Sequence, residues 1–145
     1  MADFVFFDGF KEALGDATTD LTTTTGHAFK FRLTNTAPDV AAHVAMTSLP
    51  AITGGSYADA AITHAWAETA GASGIWRFAA GADVTWTAVS TDFTTSRYVV
   101  LYDDTHASDL PVGYFDYGVG GFTLTAGNTF TLNLDANFEI FTLDG

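Results

Sequence analysis

The chain has 145 residues, 17 of them acidic and 5 Lys or Arg, giving a net charge of -12, and it contains no cysteine. That balance repels nucleic acid and anionic membrane surfaces, and the lack of thiols removes disulfides and thiolate metal sites. With 48% hydrophobic and 15% charged residues, the composition is that of a folding globule rather than a disordered segment, and a chain this long buries roughly 70% of its unfolded surface in a single core.

The first residues, Met1 to Asp8, lack the positive n-region of a signal peptide, and no apolar run nears the ~18 residues needed to cross a bilayer. The expectation is synthesis in the cytoplasm and no membrane partner. Asp3 as N-cap, Phe6, Phe7, Phe10 and Leu14 at helical spacing, and Gly15 as a stop predict a short N-terminal α-helix over 1–15. Residues 16–25 hold six threonines and two aspartates and read as an extended linker or edge. Phe29, Phe31 and Leu33 alternate with Lys30 and Arg32, the period of a half-buried strand that ends at Asn35-Thr36-Ala37-Pro38. A helical turn is placed near Val40 to Met46, followed by loop through Pro50 and Gly54-Gly55.

From Ile62 onward, short β-like runs recur: Ile62 to Trp66, Ile75 to Phe78, Val84 to Val89, Tyr98 to Tyr102, Val112 to Tyr117, Phe122 to Thr125, Thr129 to Leu134 and Phe138 to Leu143. Tyr98 to Tyr102 is apolar throughout and is expected to be a central strand covered on both faces. Phe122 and Leu124, joined through Thr125 to Asn128 to Phe130, Leu132 and Leu134, read as hairpin arms. The fold class expected is therefore mainly β, an antiparallel β-sandwich or barrel with a short N-terminal α-helix. It forms one domain over 1–145, with a β core over 26–145.

The candidates for chemistry are few. His27, His43, His64 and His106 lack the spacing of a helical zinc site, and Gly54-Gly55-Ser56 lacks the context of a nucleophile elbow. Asp103, Asp104 and Asp109 lie in a polar run that offers oxygen ligands for calcium, although the EF-hand spacing and its final Glu are missing; the plainer reading is a turn. Gly118-Val119-Gly120-Gly121 sits between β runs and reads as a turn rather than a phosphate loop. Glu12, Glu68 and Glu139 are the only glutamates for paired-carboxylate chemistry, and none has a recognisable setting. Trp66, Trp76 and Trp86 recur at ten-residue intervals as core or interface residues, or as a sugar platform if they face outward. No cofactor is expected.

Phe7-Asp8-Gly9-Phe10, Phe31 to Pro38, Val84-Thr85-Trp86-Thr87, Ser96-Arg97-Tyr98 through Thr105, and Pro111-Val112-Gly113-Tyr114-Phe115-Asp116-Tyr117 together resemble a family of small structural proteins of tailed bacteriophages. The stretch from Asp39 to Ala72 departs most from that pattern. The resemblance implies a virion structural role: first, a capsid decoration or cement protein that binds the major capsid protein or other virion proteins; alternatively, a tail- or head-fibre module binding a host receptor or glycan through Trp66, Trp76 and Tyr57. An enzyme acting on host surface sugars ranks last. The resemblance also implies a closed homo-oligomer, a trimer before a dimer, assembled in the host cytoplasm. Phe4, Phe6, Phe7 and Phe10 exceed what one small helix needs, so they are the expected docking residues.

Overall fold

The computed structural model describes residues 3–23, 25–69, 71 and 74–144. Its largest unit is a five-stranded antiparallel sheet in the order β1-β8-β7-β2-β3, from Phe4–Phe6 (β1), Phe29–Thr34 (β2), Ala60–Ile62 (β3), Tyr98–Asp103 (β7) and Leu110–Asp116 (β8). Against it lie a three-stranded sheet, β10-β5-β4, from His64–Glu68 (β4), Ile75–Ala80 (β5) and Glu139–Asp144 (β10), and a pair formed by Val84–Thr87 (β6) and Thr129–Leu132 (β9). The packing is that of a mainly β sandwich with no closed barrel among the described residues.

β7 is buried along its whole length. Val99 and Leu101 point into the main core with Phe29, Phe31 and Leu33 of β2 and Phe78 and Phe141 of the opposing sheet. Tyr98, Val100 and Tyr102 point the other way and form a second core with Phe7, Met46 and Leu49. The outer cover is therefore the β2–β3 connection, which carries a 3-10 turn at Met46–Ser48. The helical turn expected near Val40 to Met46 is present as a single turn, in which His43 N–H donates to the Asp39 carbonyl, and the 3-10 turn follows it.

Three expectations are corrected by the pairing. The N-terminal segment is a strand before it is a helix: β1 pairs with β8, Phe4 opposite Phe115 and Phe6 opposite Gly113, and the helix α1 spans only Asp8–Gly15. Asp3 precedes β1 and caps nothing; Phe7 occupies the N-cap position in extended backbone, with no side-chain cap. A Phe-Val-Phe run beside the free edge of β8 gains a ladder of hydrogen bonds that a lone first turn of helix cannot match. A Cβ on Gly113 would collide with the Phe4 ring, so this crossing requires glycine.

Second, Ile62 to Trp66 is not one strand. The chain changes sheets at Thr63, leaving β3 beside β2 and β4 beside β5. Third, the expected hairpin of 122–134 does not pair with itself: β9 pairs with β6, with Phe130 opposite Trp86, whereas Phe122 bridges Ser96 and the Leu124 carbonyl accepts from Phe93 N–H. Residues on both sides of the Thr125 to Asn128 turn alternate correctly, but each arm finds a different neighbour.

The threonine-rich segment lies across the open edge of β4. Thr23 Oγ1 accepts from Trp66 N–H, His64 Nε2 lies 3.2 Å from the Thr22 carbonyl, and Leu21 is buried in the main core. Such covering protects an edge that would otherwise pair with another chain. Thr24 lies outside the described residues.

Because Phe7 is fully buried between β7 and the β2–β3 connection while Val5 of the adjacent strand faces out at 39% exposure, Phe7→Ala is expected to cost about 3–5 kcal/mol and Val5→Ser no more than about 0.5 kcal/mol. Urea unfolding of the two variants measures both.

Candidate functional site

The most elaborate polar cluster sits under the β2–β3 connection. Arg32 of β2 donates from Nε and Nη2 to Asp59 Oδ2 at 2.9 and 2.7 Å, and from Nη1 to the carbonyls of Met46 and Leu49. Tyr57 and Tyr102 each donate a hydroxyl hydrogen to Asp59, and Tyr57 Oη accepts from Leu33 N–H. The guanidinium also lies 5.3 Å from the centre of the Tyr102 ring. Burial, and then the Asp59 charge, push the Tyr57 phenol far above its ordinary value; burial and its bond to Asp59 do the same to Tyr102. Every strong donor and acceptor here is used internally, so the cluster holds a loop and leaves no group free for a substrate. Tyr57 is thereby removed from the set of exposed aromatics.

The calcium candidate comes apart. Asp103 is fully buried, and its Oδ2 accepts from Thr19 Oγ1 at 3.0 Å and lies 2.6 Å from His27 Nδ1, while Oδ1 accepts from the Thr105 and His106 amides. Asp104 pairs with Lys30 at 2.9 Å, and Asp109 is an exposed residue with φ 49°. With Asp103 bound by protein donors and Asp104 paired with Lys30, the three do not converge, and no group of three or more potential ligands occurs among the described residues.

The histidines are equally dispersed. His27 meets Asp103, His64 stacks on Phe78 and edges Phe29, His43 accepts from Asp39 N–H, and His106 sits beside Ser108. Gly54-Gly55-Ser56 packs as a turn against 89–91, where Gly55 N–H donates to Thr91 Oγ1. Of the docking residues, Phe7 and Phe10 are 0% and 1% exposed and have no surface left to offer; Phe4 and Phe6 are half-buried against Phe115 and Phe141.

Among the exposed apolar residues, which also include Val5, Val44, Val89 and Phe138, two places stand out. At the Gly118–Gly121 turn, Val119 is 95% exposed. Its base is firmly tied: Arg97 donates twice to Asp116 at 2.7 Å, Gly118 N–H donates to Asp116 Oδ1, and Phe122 and Ser96 exchange backbone bonds. The Arg97 hydrogen bonds hold the Asp116 carboxyl below the usual aspartate value. Tyr117, Phe122 and Phe130 form a half-exposed aromatic row beside the turn, with Phe122 and Phe130 stacked at 4.3 Å. A lone valine between glycines was the signal available for this tip.

The second apolar place is a cleft of about 550 Å³ between the end of α1, the 19–22 segment and the end of the three-stranded sheet, lined by Leu14, Leu21, Trp66 and Leu143 with Thr19, Asp20 and Thr22 at its rim. Trp66 stacks on Trp76 at 5.5 Å, and Trp76 is 42% exposed. Trp86, by contrast, is a core residue that donates from Nε1 to the Ala58 carbonyl.

No family model, curated protein or solved structure matches this chain.

The polar clusters make three outcomes expected. Unfolded tyrosines ionise near pH 10 whereas Tyr57 and Tyr102 resist ionisation in the fold, so their stabilising contribution is whole below about pH 10 and is lost as pH rises above it. Asp59→Asn, which leaves Arg32 short of its counter-charge, is expected to cost on the order of 3 kcal/mol and to bring both phenols down in a spectrophotometric alkaline titration. Millimolar calcium is expected to leave the melting temperature unchanged, measured by calorimetry with and without chelator.

Proposed function

We propose that this chain is a virion structural protein of a tailed bacteriophage, a decoration or cement protein that sits on the capsid and holds neighbouring capsomers. The observation that carries the reading is the Val119 turn: a rigidly based loop presenting an apolar tip beside an aromatic row is built to be covered by another protein. Its particular setting, a tailed-phage head, rests on the resemblance of the sequence to small structural proteins of such phages. On a lattice a modest interface is enough, because repetition multiplies weak contacts. The major capsid protein is the proposed partner, and a trimer the proposed state, since closed symmetry also hides sheet edges.

A second reading, a fibre module that binds a host receptor or glycan, is favoured by the Trp66–Trp76 stack, in which Trp76 is exposed and Trp66 half-buried. It requires binding to host cells with no capsid present.

Val119→Asp is expected to leave the melting temperature within about 1 °C of wild type, because the side chain touches little of its own chain. It should also abolish incorporation into particles. Cryo-electron microscopy of particles assembled with each form reads this directly: lattice density for wild type alone supports the decoration role, and density confined to fibre tips replaces it with the second reading.

A further inference from the structure

We infer that the cleft lined by Trp66, with Trp76 stacked beside it, receives an arginine or lysine side chain from a basic segment of a partner protein. The inference holds whichever particle carries the chain, and it uses a face separate from the Val119 turn.

The chain itself shows how it holds a cation. Arg97 lies 4.9 Å from the centre of the Tyr98 ring and is bound by Asp116; Arg32 lies 5.3 Å from the centre of the Tyr102 ring and is bound by Asp59. Each guanidinium has an aromatic face and a carboxylate. At the cleft the same two components stand without a lysine or arginine; Glu68 accepts from Gly74 N–H and Asp20 from Thr22 N–H, neutral donors that leave both charges uncompensated. Glu68 is directly opposite Trp76 in the β4–β5 register, which puts both side chains on one face of the sheet, and Asp20 lines the cleft beside Trp66. Trp76 keeps 42% of its surface open, and tryptophan is the strongest aromatic partner for a cation. Among the described residues no Lys or Arg lines the cleft.

Charge selects the occupant. Lys11, Lys30, Arg32 and Arg97 are each already paired with an aspartate, so the net charge of -12 leaves carboxylates in large surplus. The amide and hydroxyl hydrogen bonds of Thr22 hold Asp20 below the ordinary aspartate value, keeping it ionised. An acidic ligand is repelled by these carboxylates and a neutral one gains hydrogen bonds without charge attraction, whereas the aliphatic stem of Arg or Lys suits Leu14, Leu21 and Leu143 and its head suits Asp20 and Glu68.

The test is calorimetric titration of the full chain, at about 0.15 M salt, with acetyl-Gly-Arg-Gly-Arg-Gly-amide and with the same peptide carrying citrulline, which keeps the shape and removes the charge. The expected result is saturable binding of the arginine peptide, about tenfold weaker binding of the citrulline peptide, and about tenfold weaker binding of the arginine peptide to Trp76→Ala. Glu68→Gln should fall between. Trp76→Phe, which retains a ring, is the measure if the alanine variant melts early, and it should lose severalfold. Equal binding by wild type and the Trp76 variants would reduce the effect to bulk charge and overturn the inference. So would citrulline peptide or methyl glycosides binding as well as arginine peptide, which would make the cleft a neutral or sugar platform.

Discussion

A strand that is apolar on both faces has to be covered twice, and β7 imposes that requirement on this fold. One cover is the opposing sheets, which any sandwich supplies. The other is a long connection between β2 and β3 with little regular structure of its own, and a loop laid over a sheet must have its polar groups satisfied where water is excluded. Arg32 and Asp59 meet that need together. The guanidinium takes two loop carbonyls, the carboxylate takes two tyrosine hydroxyls, and the pair ties the cover to β2 and β7 at once. A buried ion pair adds little net stability over an apolar substitute, but removing one partner strands the other. The pair therefore specifies where the loop lies more than it drives folding.

The same use of charge runs through the molecule. Asp103 ties the 19–27 segment to the end of β7, Asp116 ties Arg97 to the 118 turn, and Asp39, Asp83, Asp92 and Asp135 each accept from backbone amides of nearby loops. An acidic chain with few cations satisfies its loops by carboxylate-to-amide bonds, which need no counter-ion. The cost is a surface that repels phosphates and attracts cations, and apolar places such as the Val119 tip and the cleft at Trp66 are set in it.

Burial was legible wherever period and composition agreed. The alternation at Phe29, Phe31 and Leu33, the all-apolar run at Tyr98 to Tyr102 and the inward Trp86 all sit as their spacing predicts, because each depends only on which face of a strand a side chain occupies. Partnership was not legible. Phe6, Phe7, Phe10 and Leu14 carry a helical period, yet the strand pairing of β1 with β8 decides their start. The Asp103 to Asp109 run has the composition of an ion loop, but Thr19 and His27, distant in sequence, had already claimed its central carboxylate. Phe122 to Leu134 has the pattern of a hairpin, and the alternation gave no sign that its two arms would pair with Ser96 and with β6.

By itself, then, the amino-acid sequence determined a cysteine-free, strongly acidic, mainly β chain with an aromatic core and the identity of its central strand, since those follow from composition and from a two-residue period. Only the tertiary structure decided which strands pair, that the N-terminal phenylalanines pack on their own core, that several aspartates hold loops, and that Val119 and Trp76 are left outside. Those outcomes depend on long-range hydrogen bonds and on competition between segments far apart in the chain, and neither leaves a local trace.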